Sequence, residues 1–497
     1  MLKEISARWL LPIVIISEIA SANSAAERNI KKQVNTIQME RLHSRDIESS
    51  DLKKLESKIE SYQSVESNIE EPAKWSLESI ELPETGELVL KGFLSKLKSW
   101  VETDKVPAYD EIAIDFVASD NNQITVLSDK EDFWPKLMTD LESAEDSINI
   151  VMFGLMGDEW GHEVFDLLKN KVKAGVKVRV LADALGARSH WYFKHVNAEF
   201  IQDLRDNGID IILTKDDSTY GNWHFDHRKF YIIDGKLAHN TGYTIEEHMR
   251  YIHFDMAYRI TGDMVKQLQG LFFASFFYFG GKLSDDEKNI ETFMERYFPE
   301  GAIIPQEMQS NARLLTNLPR VQHRATEAYF KAIDNAKSKI IIVNEFLSEP
   351  KFLKKLEAQA KKGLKIQIIY PRECEWELHR NEAFHFFEKI KDYPGVEIYL
   401  YDGPQNTGWL HTKGIIVDDQ YTNFGSTNMD SLSLFQNFEV NIESNDSKIV
   451  RQTQEKIVDY AIQYSVPYKS PETLGDKIDI WMSPIVTFPL KYFVKAL

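Results

Sequence analysis

The sequence is poor in cysteine, in basic charge and in long apolar runs. Among its 497 residues Cys374 is the single cysteine, which excludes an intramolecular disulfide and a cysteine-rich zinc site. The formal net charge is −18, unlike that of a general nucleic-acid binder with a basic surface. No segment reaches the roughly 18 apolar residues that a membrane-spanning helix needs. The apolar segment Leu271–Phe279 comes nearest but is too short, and it predicts a buried core helix. What remains is an acidic globular chain, 43% hydrophobic, long enough for two or three domains.

The N-terminus has the pattern of an export signal. Lys3 and Arg8 precede the apolar run Trp9–Ile16, and Ala20–Ala22 offers a small-residue cleavage site. We therefore expect residues 1–26 to be a signal peptide. The alternative is an uncleaved N-terminal helix that touches a membrane.

Residues 27–118 are polar and charged, and they predict a mostly helical N-terminal arm. Within this arm, Phe93, Leu97, Trp100 and Val101 fall on one helix face with lysines alongside. Packing of this face on the domain is the favoured interpretation, and a helix lying on a membrane surface is the alternative.

From about residue 119 the pattern changes to alternating strands and helices. Ser147–Phe153 and Val176–Ala182 read as strands, with a helix over Glu163–Ala174 between them. A strand–helix–strand order predicts an α/β fold with a mostly parallel sheet.

This pattern occurs twice. Asp334–Val343 is similar to Glu142–Val151, and Ala360–Ile366 is similar to Val172–Val178, at offsets of 192 and 188 residues. A single repeat of that length indicates a duplicated domain rather than a solenoid. We place the first domain at 119–310 and the second at 311–497.

Each repeat carries one H-x-K-x4-D motif. The two copies lie 184 residues apart, in step with the duplication. One loose match would be unremarkable by chance, but two strict matches at equivalent places would not. The candidate catalytic residues are therefore His227, Lys229 and Asp234 in the first copy, and His411, Lys413 and Asp418 in the second.

A carboxylate follows each histidine at the same distance. Asp255 lies 28 residues after His227, and Glu439 lies 28 residues after His411. Such a repeated spacing indicates an orienting partner for the imidazole ring of the same half.

These residue types suit the cleavage of a phosphodiester. A neutral histidine can attack phosphorus while a second histidine protonates the leaving alkoxide, and two lysines neutralise the phosphate oxygens. Ser426 and Asn428 offer neutral donors to the same oxygens, with Asn240 or Thr244 as substitutes in the first half. We expect no metal and no cofactor, because no cluster of ligands is visible. His224, Asp226 and His227 are too close along the chain to converge on one ion.

The chain resembles the phospholipase D superfamily, and within it the bacterial cardiolipin synthases. Leu410–Asn441 carries the resemblance most strongly, and Asp158-x-x-Gly161 and Ala182–Gly186 add to it. The resemblance implies two pseudo-symmetric lobes, each a mixed sheet flanked by helices, with the active site at their interface. It also implies a phosphohistidine intermediate, with His227 as nucleophile and His411 as acid and base.

Further roles follow from the same resemblance. Lys229, Lys413, Ser426 and Asn428 would hold the phosphate, while Asp255 and Glu439 would orient the histidines. For Asp234 and Asp418 a structural or electrostatic role is favoured over a direct catalytic one. The first motif departs from the family pattern, since Thr241, Gly242 and Thr244 stand where Gly-Ser or Gly-x-Asn is usual.

The function expected from the sequence is cleavage of a phospholipid headgroup ester, with either water or an alcohol as acceptor. A phospholipid bilayer is the expected partner, with no stable nucleic-acid partner, and the protein is expected to be bacterial and either exported or peripheral on a membrane. The alternatives are a nuclease, which the net charge of −18 disfavours, and a non-enzymatic membrane-associated relative, which two intact motifs disfavour.

Overall fold

The computed structural model describes residues 86–184, 186–187, 194–214, 224–301, 303–374, 376–404, 408–473, 475–484 and 487. The expected signal peptide, 1–26, and the larger part of the expected arm lie outside these residues. All strands and helices named below belong to one compact unit, Leu82–Trp481.

A seven-stranded sheet organises the first half of this unit. Its strands are β1 (Asn122–Ser128), β2 (Ser147–Met152), β3 (Lys177–Ala182), β4 (Asp210–Leu213), β5 (Phe230–Ile233), β6 (Leu237–Thr241) and β7 (Met256–Gly262). Their order in the sheet is β1-β7-β6-β5-β2-β3-β4. The helices of this half are α1 (Gly86–Thr103), α2 (Asp129–Glu142), α3 (Glu159–Lys173), α4 (Lys194–Asp206), α5 (Glu247–Tyr251), α6 (Asp263–Tyr278) and α7 (Ile290–Tyr297).

A nine-stranded sheet organises the second half. Its strands are β8 (Arg313–Leu318), β9 (Gln322–His323), β10 (Lys339–Val343), β11 (Lys365–Pro371), β12 (Val396–Tyr401), β13 (Gly414–Val417), β14 (Tyr421–Gly425), β15 (Glu439–Ser444) and β16 (Ser465–Pro467). The helices are α8 (Arg324–Asn335), α9 (Pro350–Lys361), α10 (Glu377–Ile390), α11 (Ser431–Phe435), α12 (Ser447–Thr453) and α13 (Tyr460–Gln463). Short 3₁₀ or π turns cover Asp110–Ile112, Asp285–Glu287, Gln306–Met308 and Gln454–Asp459.

The two sheets share one topology. The order β8-β15-β14-β13-β10-β11-β12 repeats that of the first sheet strand for strand, and β9 and β16 extend its two edges. This order confirms the expected α/β fold of two related lobes, each a mixed sheet flanked by helices.

The expectation of a mostly parallel sheet is wrong. Parallel pairing joins β2 to β3 and β3 to β4. The other four pairs, β1 with β7, β7 with β6, β6 with β5 and β5 with β2, are antiparallel. The strand–helix–strand signal comes from the parallel strands alone, because only parallel neighbours need a crossover helix. Of the antiparallel strands, β5, β6 and β7 follow the first histidine motif, and β5 and β6 are joined by a short turn.

Three hydrophobic clusters form the core. One lies between the two sheets and draws Val151 and Phe230 from the first and Ile341 and Ile416 from the second. The other two lie on the outer faces of the first and the second sheet. Because the central cluster is shared, the two halves bury one face of each sheet against each other, which fixes the interface at which the motifs meet.

Helices α1 and α6 belong to the central cluster. Residues 271–277 of α6 are buried, as expected of a core helix. Phe93, Leu97 and Trp100 of α1 are buried as well, and the Phe93 ring lies against Gly270 of α6, where an added Cβ would come within 2.5 Å of it. The apolar face of α1 therefore packs on the domain, and the membrane-surface alternative for this helix is wrong.

Candidate active site at the domain interface

Two short backbone pairings cross the interface between the halves. The segment before β5 pairs with the segment before β15, where the His227 amide donates to the Phe438 carbonyl at 3.0 Å. The segment before β13 pairs in the same way with the segment before β7, where the His411 amide donates to the Phe254 carbonyl at 2.8 Å. Each histidine thus enters the site along a strand-like segment of the opposite half.

Each histidine is oriented by a carboxylate from the opposite half. Nδ1 of His227 lies 3.1 Å from both carboxylate oxygens of Glu439, and Nδ1 of His411 lies 2.6 Å from Oδ2 of Asp255. The expected pairing within each half is therefore wrong, although both carboxylates do contact a motif histidine. The backbone pairings explain the exchange, because Glu439 directly follows the residue that receives the His227 amide.

The two lysines lie beside the histidines and are fully enclosed. Lys229 is 0% and Lys413 is 1% exposed. Each lysine stands two residues after its histidine in an extended segment, so the lysine and histidine side chains of one motif leave the backbone on the same side. Nζ of Lys229 donates to the His227 carbonyl at 2.7 Å, and Nζ of Lys413 donates to the His411 carbonyl.

Burial sets the charges of this group. It lowers the pKa of His227, with the lysine charges acting in the same direction and Glu439 against it. It lowers the pKa of His411 well below the usual value, and here Lys413, Lys229 and His227 all contribute. The histidines are therefore neutral near pH 7 in the free protein, as a nucleophile or base must be.

The lysines and Asp255 are shifted in the same way. Burial lowers the pKa of Lys229 to about 7, although Glu439 raises it, and burial also lowers that of Lys413. Burial raises the pKa of Asp255 to about 6, against the lysine charges. Several groups shifted by desolvation and by one another at one interface are typical of a catalytic site.

The two halves differ at the ends of β2 and β10. Phe153 follows β2, with its ring centroid 5.0 Å from that of His227 and 5.3 Å from Nζ of Lys229. Glu345 holds the equivalent position after β10. Its carboxylate lies 3.4 Å from Nε2 of His411 and 3.5 Å from Nζ of Lys413. The His227 side is thus partly aromatic, and the His411 side carries an additional carboxylate.

They also differ after β6 and β14. The Ser426 hydroxyl donates to Oε2 of Glu439 at 2.5 Å. Its counterpart is Gly242, where an added Cβ would come within 2.1 Å of the Asp255 carboxylate. A shorter carboxylate beside glycine in one half thus replaces a longer carboxylate beside serine in the other.

The remaining expected phosphate ligands are placed unequally. Asn428 is buried, and its Oδ1 has no hydrogen-bond partner among the described residues. The hydroxyl of Thr244, its counterpart, donates to Glu246 at 2.6 Å. Asn240 pairs with Phe230 across β5 and β6 and is buried, and neither atom of its amide has a hydrogen-bond partner among the described residues.

Asp234 and Asp418 act on the backbone. The Asp234 carboxylate accepts three amide hydrogens at the start of β2, at 2.8 to 3.0 Å. The Asp418 carboxylate accepts three at the start of β10, at 2.7 to 2.9 Å. Both residues have a left-handed backbone, with φ of 52° and 55°. These contacts correct their place among the catalytic candidates: both aspartates tie the strand after each motif to its neighbour.

Sequence reasoning missed Phe153, Glu345 and His253. The offset of 192 residues between the matched strands, extended by a few positions, aligns Phe153 with Glu345 and would have found that difference. His253 precedes the Asp255 segment, and its ring centroid lies 5.8 Å from that of His411.

The three residues weighed as metal ligands separate. Nδ1 of His224 lies 2.8 Å from the Gln436 carbonyl oxygen, and Asp226 accepts two bonds from the Arg228 guanidinium at 2.6 and 2.7 Å. His227 pairs with Glu439. Each of the three therefore has its own protein partner.

The comparisons with known proteins agree with this geometry. The family described as "Cardiolipin synthase, PLD-like domain" matches residues 137–272 and residues 329–459, together more than half of the chain. The chain is 28% identical over 330 residues to the minor cardiolipin synthase ClsB of Bacillus subtilis (strain 168), across 63% of this chain and 75% of that protein. It is 25% identical over 426 residues to a cardiolipin synthase of Clostridium perfringens (strain 13 / Type A), across 79% and 85%.

Among solved structures, the phosphatidylserine synthase of Haemophilus influenzae Rd KW20 has the same fold. The TM-score is 0.58 at 16% identity, over 75% of this chain and 95% of that chain. The duplicated mixed sheet and the paired motifs are thus those of the phospholipase D superfamily. The chain belongs to the cardiolipin synthase family of phospholipase D-like domains and is an enzyme of the phospholipase D type.

Proposed function

We propose that this protein is a phosphatidyltransferase that cleaves a phospholipid headgroup ester through a phosphohistidine on His227. The observation that carries the proposal is the meeting of two neutral, carboxylate-oriented histidines and two buried lysines at one interface. The names of the curated relatives support the lipid substrate, since both relatives described above are cardiolipin synthases.

In the first step, Nε2 of His227 attacks phosphorus and the bond from phosphorus to the headgroup oxygen breaks. Glu439 holds the ring through Nδ1, which directs Nε2 at the substrate and stabilises the positive charge that develops on the ring. His411 gives its Nε2 proton to the leaving oxygen. The negative phosphate raises the pKa of His411, so that the neutral ring of the free protein takes up this proton when substrate binds.

In the second step, His411 removes the proton of an acceptor alcohol or of water. The acceptor oxygen attacks phosphorus, the bond from phosphorus to Nε2 of His227 breaks, and the imidazole regains its electron pair. Lys229 and Lys413 neutralise the phosphate oxygens in both steps. Ser426 supports this chemistry indirectly, because its hydroxyl holds Glu439.

The proposed place of action is a lipid surface in a bacterial cell envelope. Within the described part of the chain, no helix has the length and apolarity needed to cross a membrane. We propose peripheral binding to the bilayer that holds the substrate.

The test uses the full-length chain with vesicles of phosphatidylglycerol or phosphatidylcholine, and His411→Ala as the control. Products are resolved by mass spectrometry. Cardiolipin and glycerol from phosphatidylglycerol support transfer, and phosphatidic acid with free headgroup supports hydrolysis. If both lipids stay intact while single-stranded DNA is cut, the lipid function is wrong and a nuclease takes its place.

A further inference from the structure

The His411 side of the site carries two hydrogen-bond acceptors that the His227 side lacks. The first is the Glu345 carboxylate, which is 2% exposed, lies 3.4 Å from Nε2 of His411 and accepts from Nζ of Lys413 at 3.5 Å. Nε2 is the atom that exchanges a proton with the alcohol in the proposed function. A general base lies within about 3 Å of the oxygen it serves, so the bound alcohol has its next atoms beside this carboxylate.

The second acceptor is Nε2 of His253. Nδ1 of this ring lies 3.2 Å from the His248 carbonyl oxygen, and because a carbonyl only accepts, Nδ1 carries the hydrogen. Nε2 is then a bare acceptor, and it is buried with no partner among the residues described. Burial lowers the pKa of His253 to about 3, so the ring stays neutral.

The corresponding positions beside His227 hold different residues. Phe153 replaces Glu345 and offers no acceptor. Asn437 replaces His253, and its amide donates to Oε1 of Glu439 at 3.3 Å. The two acceptors are therefore a property of the alcohol side of the site and not of the duplicated fold.

We propose that Glu345 and His253 form a subsite for a primary ammonium group, so that the alcohol bound at His411 is a primary amino alcohol of the ethanolamine type. The inference rests on the proposed function. A primary ammonium has three N–H donors, so it can bond the carboxylate and the imidazole nitrogen together. The two remaining hydroxyls of glycerol could bond both acceptors but carry no positive charge for the carboxylate, and a quaternary ammonium or a simple alkyl alcohol donates to neither.

In the reaction, the hydroxyl proton of the amino alcohol moves to Nε2 of His411. The oxygen then forms its bond to phosphorus as the bond from phosphorus to Nε2 of His227 breaks. The reverse sequence releases the amino alcohol from a phospholipid that already carries it. Free amino alcohol and lipid headgroup thus use the same subsite, one on entering and the other on leaving.

The experiment is a competition with the full-length chain in detergent micelles at pH 7. In one arm, phosphatidylglycerol with deuterated acyl chains is incubated with equal concentrations of ethanolamine, choline, ¹³C-glycerol and ethanol. Mass spectrometry then quantifies each labelled product. In the other arm, equal amounts of phosphatidylethanolamine, phosphatidylcholine and phosphatidylglycerol compete as donors. The first arm tests the entering alcohol and the second tests the leaving headgroup.

In the first arm we expect ethanolamine products to exceed choline, glycerol and ethanol products by about tenfold or more, and in the second arm phosphatidylethanolamine should be consumed ahead of the other two lipids by a similar factor. Glu345→Gln and His253→Asn, the latter copying Asn437, should each reduce this ratio about tenfold. Glu345→Phe, which copies Phe153, should abolish it. Glu397→Gln is the matched control, because Glu397 is an exposed acid of the same half and should leave the ratio unchanged.

The outcomes separate the two proposals. Lipid products formed without preference for the primary amine, or a preference that survives in both Glu345→Gln and His253→Asn, overturn the ammonium subsite and leave the transferase intact. Formation of no lipid product by the unmodified chain overturns the proposed function, and the subsite falls with it. Because the ratio of products is the readout, a general loss of rate in one variant does not mask the result.

Discussion

The two halves of the site share a backbone plan and differ in the side chains that surround each histidine. On the His227 side, Glu439 is held by Ser426 and the ring faces Phe153. On the His411 side, Asp255 lies against Gly242, and Glu345 replaces the aromatic ring. The duplicated backbone thus supplies two similar histidines, and the different side chains around them fit the two different roles proposed for them.

The largest effect should come from removing each histidine in turn. With phosphatidyl-p-nitrophenol, whose leaving group needs no proton, His227→Ala should lose activity at least about 10⁴-fold. His411→Ala should still release one equivalent of nitrophenol and then stall as the phosphohistidine. Stopped-flow absorbance and intact-protein mass measure the two quantities.

The exposed His162→Ala serves as control and should behave as the unmodified protein. A burst from His227→Ala but none from His411→Ala would reverse the assignment of the two sides.

Replacement of each orienting carboxylate by its amide tests the crosswise pairing of carboxylates and histidines. Glu439→Gln should slow the nitrophenol burst about 10²-fold, because His227 loses the negative charge that holds the proton on Nδ1 and stabilises the positive ring. Asp255→Asn should leave the burst in place and slow the second step by a similar factor, because it acts on His411. Rapid-quench kinetics resolve the two steps. If each variant impaired the histidine of its own half instead, the crosswise arrangement would be wrong.

The charge of Lys229 gives a pH signature. Since the pKa of Lys229 is about 7 in the free site, its amine is largely neutral at pH 8. Binding of an anion is therefore coupled to the uptake of one proton by this amine. The affinity for dimethyl phosphate should therefore fall as pH rises above about 7, by up to about tenfold per pH unit. Titration calorimetry in two buffers of different ionisation enthalpy should record proton uptake.

Lys229→Arg keeps its charge at every pH and should flatten this slope. The same shift affects folding. Between pH 7 and the usual value of 10.5 the unfolded chain binds more protons at this lysine, so the free energy of unfolding should rise with pH in that window. An affinity independent of pH would show that Lys229 stays charged in the free site.

The smallest effect concerns Gly242 and Ser426. Gly242→Ser places Cβ against the Asp255 carboxylate, which is held by His411, and we expect a loss of about 1–3 kcal/mol in the free energy of unfolding. Ser426→Gly removes one donor to Glu439 and should cost about 1 kcal/mol. Urea denaturation measures both. Equal losses would mean that the two positions are interchangeable, contrary to the comparison.

The sequence predicted the two motifs, the duplication and their meeting at an interface because these depend on local spacing and on a repeated pattern. It predicted the wrong carboxylate for each histidine, because the equal spacing of 28 residues within each half indicated a partner from the same half. That choice is made by the backbone bonds from His227 to Phe438 and from His411 to Phe254, which exist only after the two sheets have packed.

Two other features depended on geometry that a pattern does not contain. A serine before Asn428 reads as a phosphate ligand, yet the Ser426 hydroxyl is bonded to Glu439 because β14 and β15 pair closely at that point. Asn240 reads as a polar substitute in the first half, yet it lies within β6 opposite Phe230, whereas its expected counterparts Ser426 and Asn428 follow β14.

The exchange of carboxylates between the halves also bears on how the enzyme is made. While the chain leaves the ribosome, His227 is synthesised 212 residues before Glu439, the residue that orients it. His411 likewise waits for its own half to dock before its ring meets Asp255. A chain that ends before Glu439 therefore lacks the partner of His227, and both histidines are oriented only when the two halves are present together.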